Sequence, residues 1–185
     1  MKNTFKSLTL AVIASAGTAF YSCTPSSSGN EAAETATNSK TYYVSENDTV
    51  NFALVNNYFT SLVNGDGSVA KNSVTPGYKS IGPAFGDTLS IDQEVEQWAK
   101  IATTRSNQNI GILAATGITA TEEPYTGDWV YMWGIYSCTH NESGKDISVP
   151  WHYSVKIENG KIALAYKFYD DLKPAMEVGA VVMAD

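Results

Sequence analysis

The feature that most constrains the fold is a change in hydrophobic period at about Asn109. From there to Phe168, apolar residues recur at every second position, which is the period of a strand with one buried face. Polar and glycine-containing turns, such as Glu158-Asn159-Gly160, divide this region into segments. The sequence therefore predicts four long strands, over residues 110–120, 129–138, 147–157 and 161–168, joined as antiparallel neighbours.

The region before these strands has a helical period. Apolar residues from Val50 to Val63 are spaced three and four apart, which predicts a helix that begins near Asp48 and ends at Gly65. Ser90 and Gln93 have the spacing of a capping box, which predicts the start of a second helix. Helices followed by an antiparallel sheet are typical of the α+β class, and we expect the helices to cover one sheet face.

Residues 1–22 have the pattern of an export signal. Lys2 and Lys6 precede an apolar run over residues 7–20, which is shorter than the roughly 20 residues that a membrane-spanning helix needs. Ser22-Cys23 follows, and this segment resembles a bacterial lipobox, whose cysteine becomes the first residue of the mature chain and carries lipid. The resemblance implies that Cys23 is lipidated. The alternative is a plain secretory signal with an incidental cysteine.

The segment after Cys23 predicts a flexible tether. Residues 24–41 contain no aromatic residue and no aliphatic residue larger than alanine, so they bury too little surface to offset the entropy of ordering. We therefore expect a signal peptide over residues 1–22, a lipidated tether over 23–45 and a folded domain over 46–185. The expected location is the cell envelope of a bacterium, with Cys23 as the membrane anchor. Cys138 then has no disulfide partner and is expected as a small buried apolar residue.

Charge and motif content exclude several classes of function. The chain carries 12 Lys and Arg against 19 Asp and Glu, whereas a nucleic-acid-binding protein needs a basic surface to neutralise phosphates. The only two histidines, His140 and His152, are twelve positions apart, and no set of four ligands surrounds them in the sequence. Phosphate-loop and dinucleotide fingerprints are absent from the sequence. We therefore expect no nucleic-acid partner, no metal and no cofactor.

Two parts of the sequence carry a family resemblance. Residues 149–170, VPWHYSVKIENGKIALAYKFYD, form a strand, a turn and an aromatic strand that ends at Asp170, and Tyr58 precedes Gly65-Asp66 in the first helix. Over roughly residues 46–180 the chain resembles the nuclear transport factor 2-like superfamily, in particular its SnoaL-like branch. The resemblance implies a curved antiparallel sheet wrapped over N-terminal helices, which together form a cone with an apolar pocket.

The resemblance also implies candidate catalytic residues. Tyr58 matches the helical tyrosine that donates to the oxyanion in ketosteroid isomerases, but the general base of those enzymes falls near Gly82, where no acid stands. The isomerase activity is therefore not transferred. A SnoaL-like cyclase, isomerase or hydratase is expected to use His152 together with Tyr58 or Tyr153. If Tyr153 faces the pocket, strand alternation places His152 on the opposite, convex face.

The abundant aromatic residues indicate either a dense core or a ligand pocket. Five of them are expected to converge beneath the curved sheet: Tyr58, Trp98, Trp133, Tyr153 and Tyr166. The leading hypothesis is a domain that binds an apolar or aromatic small molecule, or a partner, without catalysis. A SnoaL-like cyclase, isomerase or hydratase is the second hypothesis. A structural envelope protein, whose cone is filled by its own side chains, is the third.

The predicted strand over residues 129–138 indicates a partner. Its segment Trp129–Tyr136 has no charged residue on either face, so both faces are expected to be covered. Helices from the same chain cover one face. Because sheet-to-sheet dimers are common in the superfamily that the chain resembles, we expect a second copy on the other face and hence a homodimer.

Overall fold

The computed structural model describes residues 41–170 and 172–181. The predicted signal peptide, Cys23 and most of the predicted tether lie outside these residues. The elements run in the order β1 (Tyr42–Val44), α1 (Asp48–Val63), α2 (Gly67–Asn72), β2 (Val74–Ile81), β3 (Thr88–Leu89), α3 (Ile91–Thr104), β4 (Arg105–Ala120), β5 (Gly127–His140), β6 (Asp146–Glu158), β7 (Lys161–Tyr169) and α4 (Leu172–Glu177). This confirms the predicted α+β class.

All seven described strands form one curved sheet in the order β1-β4-β5-β6-β7-β2-β3. The long strands β4 to β7 are antiparallel neighbours, as the short turns between them predict. The sheet is not antiparallel throughout, because β2 pairs with β7 in the parallel direction. No hairpin joins β2 to β7, so the connection between them leaves the strand direction unconstrained.

The folded unit begins earlier than the sequence predicts. Tyr42 pairs with Ala120 and Val44 pairs with Ile118, so β1 forms an edge of the sheet. The predicted boundary at residue 46 therefore lies inside the folded unit. A strand of three residues has too few positions to show a period, and its burial pattern is fully exposed, so hydrophobic patterning has no signal there.

Two helix ends have the predicted caps, whereas α1 begins at Asp48 without a side-chain cap. The Ser90 hydroxyl accepts a hydrogen bond from the Gln93 amide at 3.4 Å, and the Gln93 side chain accepts one from the Ser90 amide at 2.8 Å. Helix α1 is followed by Gly65 with φ of +77°, a left-handed conformation that glycine adopts without strain. The two helices that the sequence predicts are thus confirmed, with α2 as an additional short helix between them.

The core lies between the concave face of the sheet and helix α1. Tyr58 and Leu62 of α1 pack in one buried cluster with Met132 of β5 and Val155 of β6. Cys138 is buried on the same face of β5 as a free thiol, as the sequence predicts. Helices α1, α3 and α4 contact the sheet.

A β-bulge in β7 reverses the faces expected for the end of that strand. Ile157 pairs with Ile162, but Lys156 pairs with Leu164, so Ala163 is an extra residue between them. Beyond the bulge, Lys167 is buried on the concave face, whereas simple alternation from Ile162 places it outside. The same shift turns three large apolar side chains of β7 to the convex face: Leu164, Tyr166 and Phe168.

Close packing at Gly134 gives the first prediction. A Cβ atom there would overlap the carbonyl oxygen of Gly111 and the ring of Trp151. Gly134→Ala is therefore expected to lower the free energy of unfolding by about 1–3 kcal/mol, measured by urea denaturation. Gly77→Ala is the matched control, because a Cβ atom at Gly77 meets nothing within 4 Å. An unchanged unfolding midpoint in Gly134→Ala would contradict the packing described.

Candidate functional site

An open cavity of about 460 Å³ lies between the concave face of the sheet, the C-terminal half of α3, and α4. Five aromatic side chains line it: Trp98, Tyr136, Trp151, Tyr153 and Tyr169. Aliphatic residues complete the wall: Ile101, Ile110, Ile147, Val149, Ala175 and Val178. The cavity is therefore mainly apolar and aromatic.

The aromatic rings pack against one another around this space. The rings of Trp151 and Tyr153 are 5.3 Å apart between centroids, and Tyr153 lies 4.1 Å from Phe59 of the core behind it. On the other side, Trp98 meets Tyr136 edge-to-face at 5.8 Å. Rings fixed in this way form a preformed wall, since each is held by the buried neighbour behind it.

Helix α4 closes one side of the cavity. Its first turn is capped by Asp170, whose carboxylate accepts a hydrogen bond from the Leu172 amide at 2.9 Å. At its other end the Lys145 ammonium donates to the carbonyl oxygen of Glu177. These contacts hold α4 in place, so that Ala175 and Val178 line the cavity.

A buried ion pair forms the polar end of the cavity. Lys167 lines the cavity from β7, and its Nζ lies 3.5 Å from Oε1 of Glu94 on α3. Both side chains are almost inaccessible, with exposed fractions of 4% and 1%. Two buried charges are tolerated in an apolar interior only when they are paired and hydrogen-bonded. Two tyrosine hydroxyls supply the hydrogen bonds that this buried pair requires.

Two tyrosine hydroxyls satisfy the second oxygen of Glu94. Tyr58 of α1 donates to Oε2 at 2.9 Å, and Tyr78 of β2 donates to the same oxygen at 2.8 Å. Burial and then the negative charge of Glu94 raise the pKa of both hydroxyls well above the usual value for tyrosine. Both hydroxyls therefore keep their protons and remain donors. With both of its oxygens engaged, Glu94 positions Lys167.

The three candidate catalytic residues occupy three different places. Tyr153 lines the cavity, and burial, followed by the charges of Glu94 and Tyr169, raises its pKa well above the usual value. Tyr58 is fully buried behind the cavity wall, in the Glu94 cluster. His152 lies on the convex face, where its Nε2 is 3.0 Å from the Ser154 hydroxyl and burial lowers its pKa. The structure does not bring the three together.

Of the five aromatic residues expected in the pocket, Trp98 and Tyr153 line it. Trp133 lies on the convex face, because it pairs in register with His152, whose side chain points outward. Tyr166 lies on the same convex face and stacks on Trp129, because the bulge at Ala163 shifts the alternation of β7.

Sequence reasoning missed the buried charges. An acidic residue near the start of a helix is favourable without any buried partner, so Glu94 is inconspicuous by that criterion. The positions 91, 94, 98 and 101, however, form one face of α3. A carboxylate between Ile91 and Trp98 on an apolar face is a signal of a buried partner. Lys167 had no such signal, since the bulge at Ala163 is invisible to a strict period of two.

The described residues contain neither a metal-binding cluster nor a membrane-spanning helix. Between residues 41 and 181, residue 171 excepted, no group of three or more His, Cys, Asp or Glu residues is placed to hold a metal ion. No helix in that part of the chain combines the length and apolar character needed to cross a membrane.

Comparisons with known proteins identify the fold. No family model and no curated protein matches the chain. A solved structure described as a SnoaL-like polyketide cyclase from Jannaschia sp. CCS1 is 18% identical, with a TM-score of 0.60 over 75% of this chain and 97% of its own. The fold is nuclear transport factor 2-like.

Two further solved structures support this nuclear transport factor 2-like fold. A protein of ketosteroid isomerase-like fold from Catenulispora acidiphila, solved with trimethylamine, is 14% identical, with a TM-score of 0.52 over 63% of this chain and 85% of its own. TerC, co-crystallised with polyporic acid, is 15% identical, with a TM-score of 0.53 over 69% and 96%. At these identities the likeness concerns the fold alone.

The Glu94 cluster gives the second prediction. Glu94→Gln keeps the shape of the side chain but leaves the Lys167 ammonium buried without a counter-charge, so the free energy of unfolding is expected to fall by about 3–5 kcal/mol. Adding Lys167→Met should restore much of this loss. Glu96→Gln, two positions away on the exposed side of α3, is the control and should leave the urea midpoint unchanged. Equal effects of Glu94→Gln and Glu96→Gln would contradict the buried pair.

Proposed function

We propose that this domain binds an apolar, aromatic small molecule in the cavity and does not catalyse its conversion. The observation that carries the proposal is the cavity of about 460 Å³ with its five aromatic side chains. Ligand pockets typically measure about 300–1,000 Å³ and combine an apolar wall with a few polar groups. The cavity has this composition, since Lys167 and Tyr153 are among its polar groups.

The surroundings of the titratable groups favour binding over catalysis. General acid-base catalysis needs a group with a pKa near the working pH within hydrogen-bond reach of the ligand. Glu94 is enclosed by its two tyrosines and Lys167, and His152 is on the far side of the sheet. His140 is at the edge of the cavity, with Nδ1 2.9 Å from the Ser143 hydroxyl. A cyclase, isomerase or hydratase would have to use Tyr153 or His140 as its acid or base. Chemical turnover of a bound ligand would overturn the proposal that the domain is not catalytic.

Filling the cavity tests the binding function. N-phenyl-1-naphthylamine, a neutral aromatic probe, is expected to bind the domain with one-to-one stoichiometry and increased fluorescence. Ala175→Trp places an indole at the cavity wall and should weaken this binding at least tenfold, or about 1.4 kcal/mol. Ala102→Trp, on the exposed side of α3, is the matched control and should bind as the parent does. The absence of probe binding, or equal binding in both variants, would contradict the proposal.

We also propose that two copies of the domain associate through the convex face of the sheet. Large apolar side chains are exposed there, including Trp133 at 41%, Ile135 at 42% and Phe168 at 53%. Helices α1, α3 and α4 lie on the concave side, where they enclose the core and the cavity. A second copy with the same aromatic face is the occupant that buries all three side chains in one symmetric contact.

A single charge tests the dimer. Trp133→Glu should give a monomer in analytical ultracentrifugation under conditions in which the parent is a dimer, because the carboxylate would be buried without a partner. Val50→Glu changes an apolar side chain that is 71% exposed on α1 and should leave the dimer intact. A monomeric parent chain at high micromolar concentration would overturn the association.

We propose, finally, that Cys23 anchors the domain to a bacterial membrane. The support is the short apolar run over residues 7–20, the cysteine after Ser22 and the polar segment that follows. Expression of the full chain in a bacterial host should give a membrane-bound product that begins at Cys23 and carries the added mass of acyl chains. Cys23→Ser should remove both properties. A parent product with an unmodified Cys23 would overturn the anchor.

A further inference from the structure

The charge of the cavity differs from that of the chain. Acidic residues outnumber basic ones in the sequence by 19 to 12. Among the described residues that line the cavity, however, there are three cationic side chains, Lys100, Arg105 and Lys167, and no aspartate or glutamate. Among the described residues, the charged side chains that line this mainly apolar cavity are therefore all cationic.

Two of these cations are already neutralised. Lys167 is paired with Glu94 at 3.5 Å, and Lys100 is paired with Glu96 at 2.8 Å, one helical turn away. Arg105 differs, since it makes no ion pair with any carboxylate in residues 41–170 or 172–181. It is also the only arginine in the sequence. Within the described part of the chain, Arg105 is therefore the cation of the cavity that has no carboxylate partner.

Arg105 is held at the cavity by an aromatic contact. Its guanidinium carbon lies 5.7 Å from the ring centroid of Tyr136, which is a cation–π distance. The Tyr136 hydroxyl donates to Oε1 of Gln108 at 2.6 Å, and this bond fixes the ring beneath the guanidinium. A guanidinium held over a ring keeps planar N–H donors at its edge, and these match the two oxygens of a carboxylate.

The register of the strands separates Arg105 from Lys167. Lys167 pairs with Tyr153, which pairs with Met132, whereas Tyr136 lies four residues further along β5. At about 3.4 Å per residue, the positions of Lys167 and Tyr136 along the sheet are about 14 Å apart. The wall between them is apolar and is formed by Val149 and Trp151, which pair with Tyr136 and Gly134. The cavity thus has an apolar middle and an unpaired cation at one end.

We propose that the cavity selects an amphipathic anion, with an aromatic or apolar body along the Trp151 wall and one carboxylate at the guanidinium of Arg105. This proposal rests on the proposed binding function and adds the charge of the ligand. A half-buried cation without a counter-charge loses hydration, and a ligand carboxylate replaces that hydration with charge-assisted hydrogen bonds. A neutral ligand of the same shape leaves the cation unpaired.

An isosteric pair of ligands tests the charge. Displacement of bound N-phenyl-1-naphthylamine from the full domain is measured for 2-naphthoate and for 2-naphthamide, which differ in charge and hardly in shape. The expected result is that the carboxylate binds at least tenfold more tightly than the amide. Because the difference is electrostatic and the site is open, the ratio should decrease when NaCl is raised from 0.02 M to 0.5 M.

Variants assign the effect to Arg105. Arg105→Gln should reduce the ratio of the two affinities to about one, and retained binding of N-phenyl-1-naphthylamine shows that the cavity still forms. Arg105→Lys should retain part of the preference, since the charge remains and the planar donor pair is lost. Lys79→Gln removes an exposed positive charge of β2 outside the cavity and should leave the ratio at the parent value.

The outcomes separate the two proposals. Equal affinity for naphthoate and naphthamide, with N-phenyl-1-naphthylamine still bound, overturns the selection of anions and leaves the binding function standing. A preference that persists in Arg105→Gln overturns the assignment to Arg105. Failure of all three aromatic compounds to bind overturns the binding function itself.

Discussion

The buried carboxylate of Glu94 is the interaction on which the arrangement of the domain depends. It is held by Tyr58 of α1, Tyr78 of β2 and Lys167 of β7, so one side chain of α3 joins three other elements. A buried ion pair adds little net stability, because desolvation offsets most of the attraction, but breaking it is costly. The observed docking of α3 satisfies all three of these partners. The cluster therefore fixes the position of the helix that forms one wall of the cavity.

The aromatic residues of the chain are divided between two faces of one sheet. On the concave face Trp151 and Tyr153 pack over Phe59 and leave a cavity, whereas on the convex face Trp129 stacks on Tyr166. The β-bulge at Ala163 makes this division, since it exchanges the two faces of β7 within a single residue. Because of the bulge, Tyr166 lies on the convex face and Lys167, the ion-pair partner of Glu94, lies on the concave face. The lining of the cavity and the composition of the convex face are thus determined together.

The sequence predicts the long elements well because their patterns are long. A strand of nine or more residues repeats its alternation several times, and the capping box at Ser90 combines two residues in one signal. Alternation also predicts the two faces of β6, including the outward position of His152. The short β1 and the extra residue Ala163 carry no repeating signal. The site was therefore predicted in part: Trp98 and Tyr153 were found, whereas Glu94 and Lys167 depend on pairing between distant segments.

The polar ends of the cavity explain why it is not filled by the side chains of the domain itself. A purely structural cone would gain most by collapse of its apolar wall, because each empty volume forgoes dispersion contacts. Collapse around Arg105 would remove a cation from water with no described carboxylate to receive it, and the loss of hydration opposes the gain in packing. The open space between aromatic walls ends at the guanidinium of Arg105. An anion with an apolar body would fill this space and also supply the missing counter-charge.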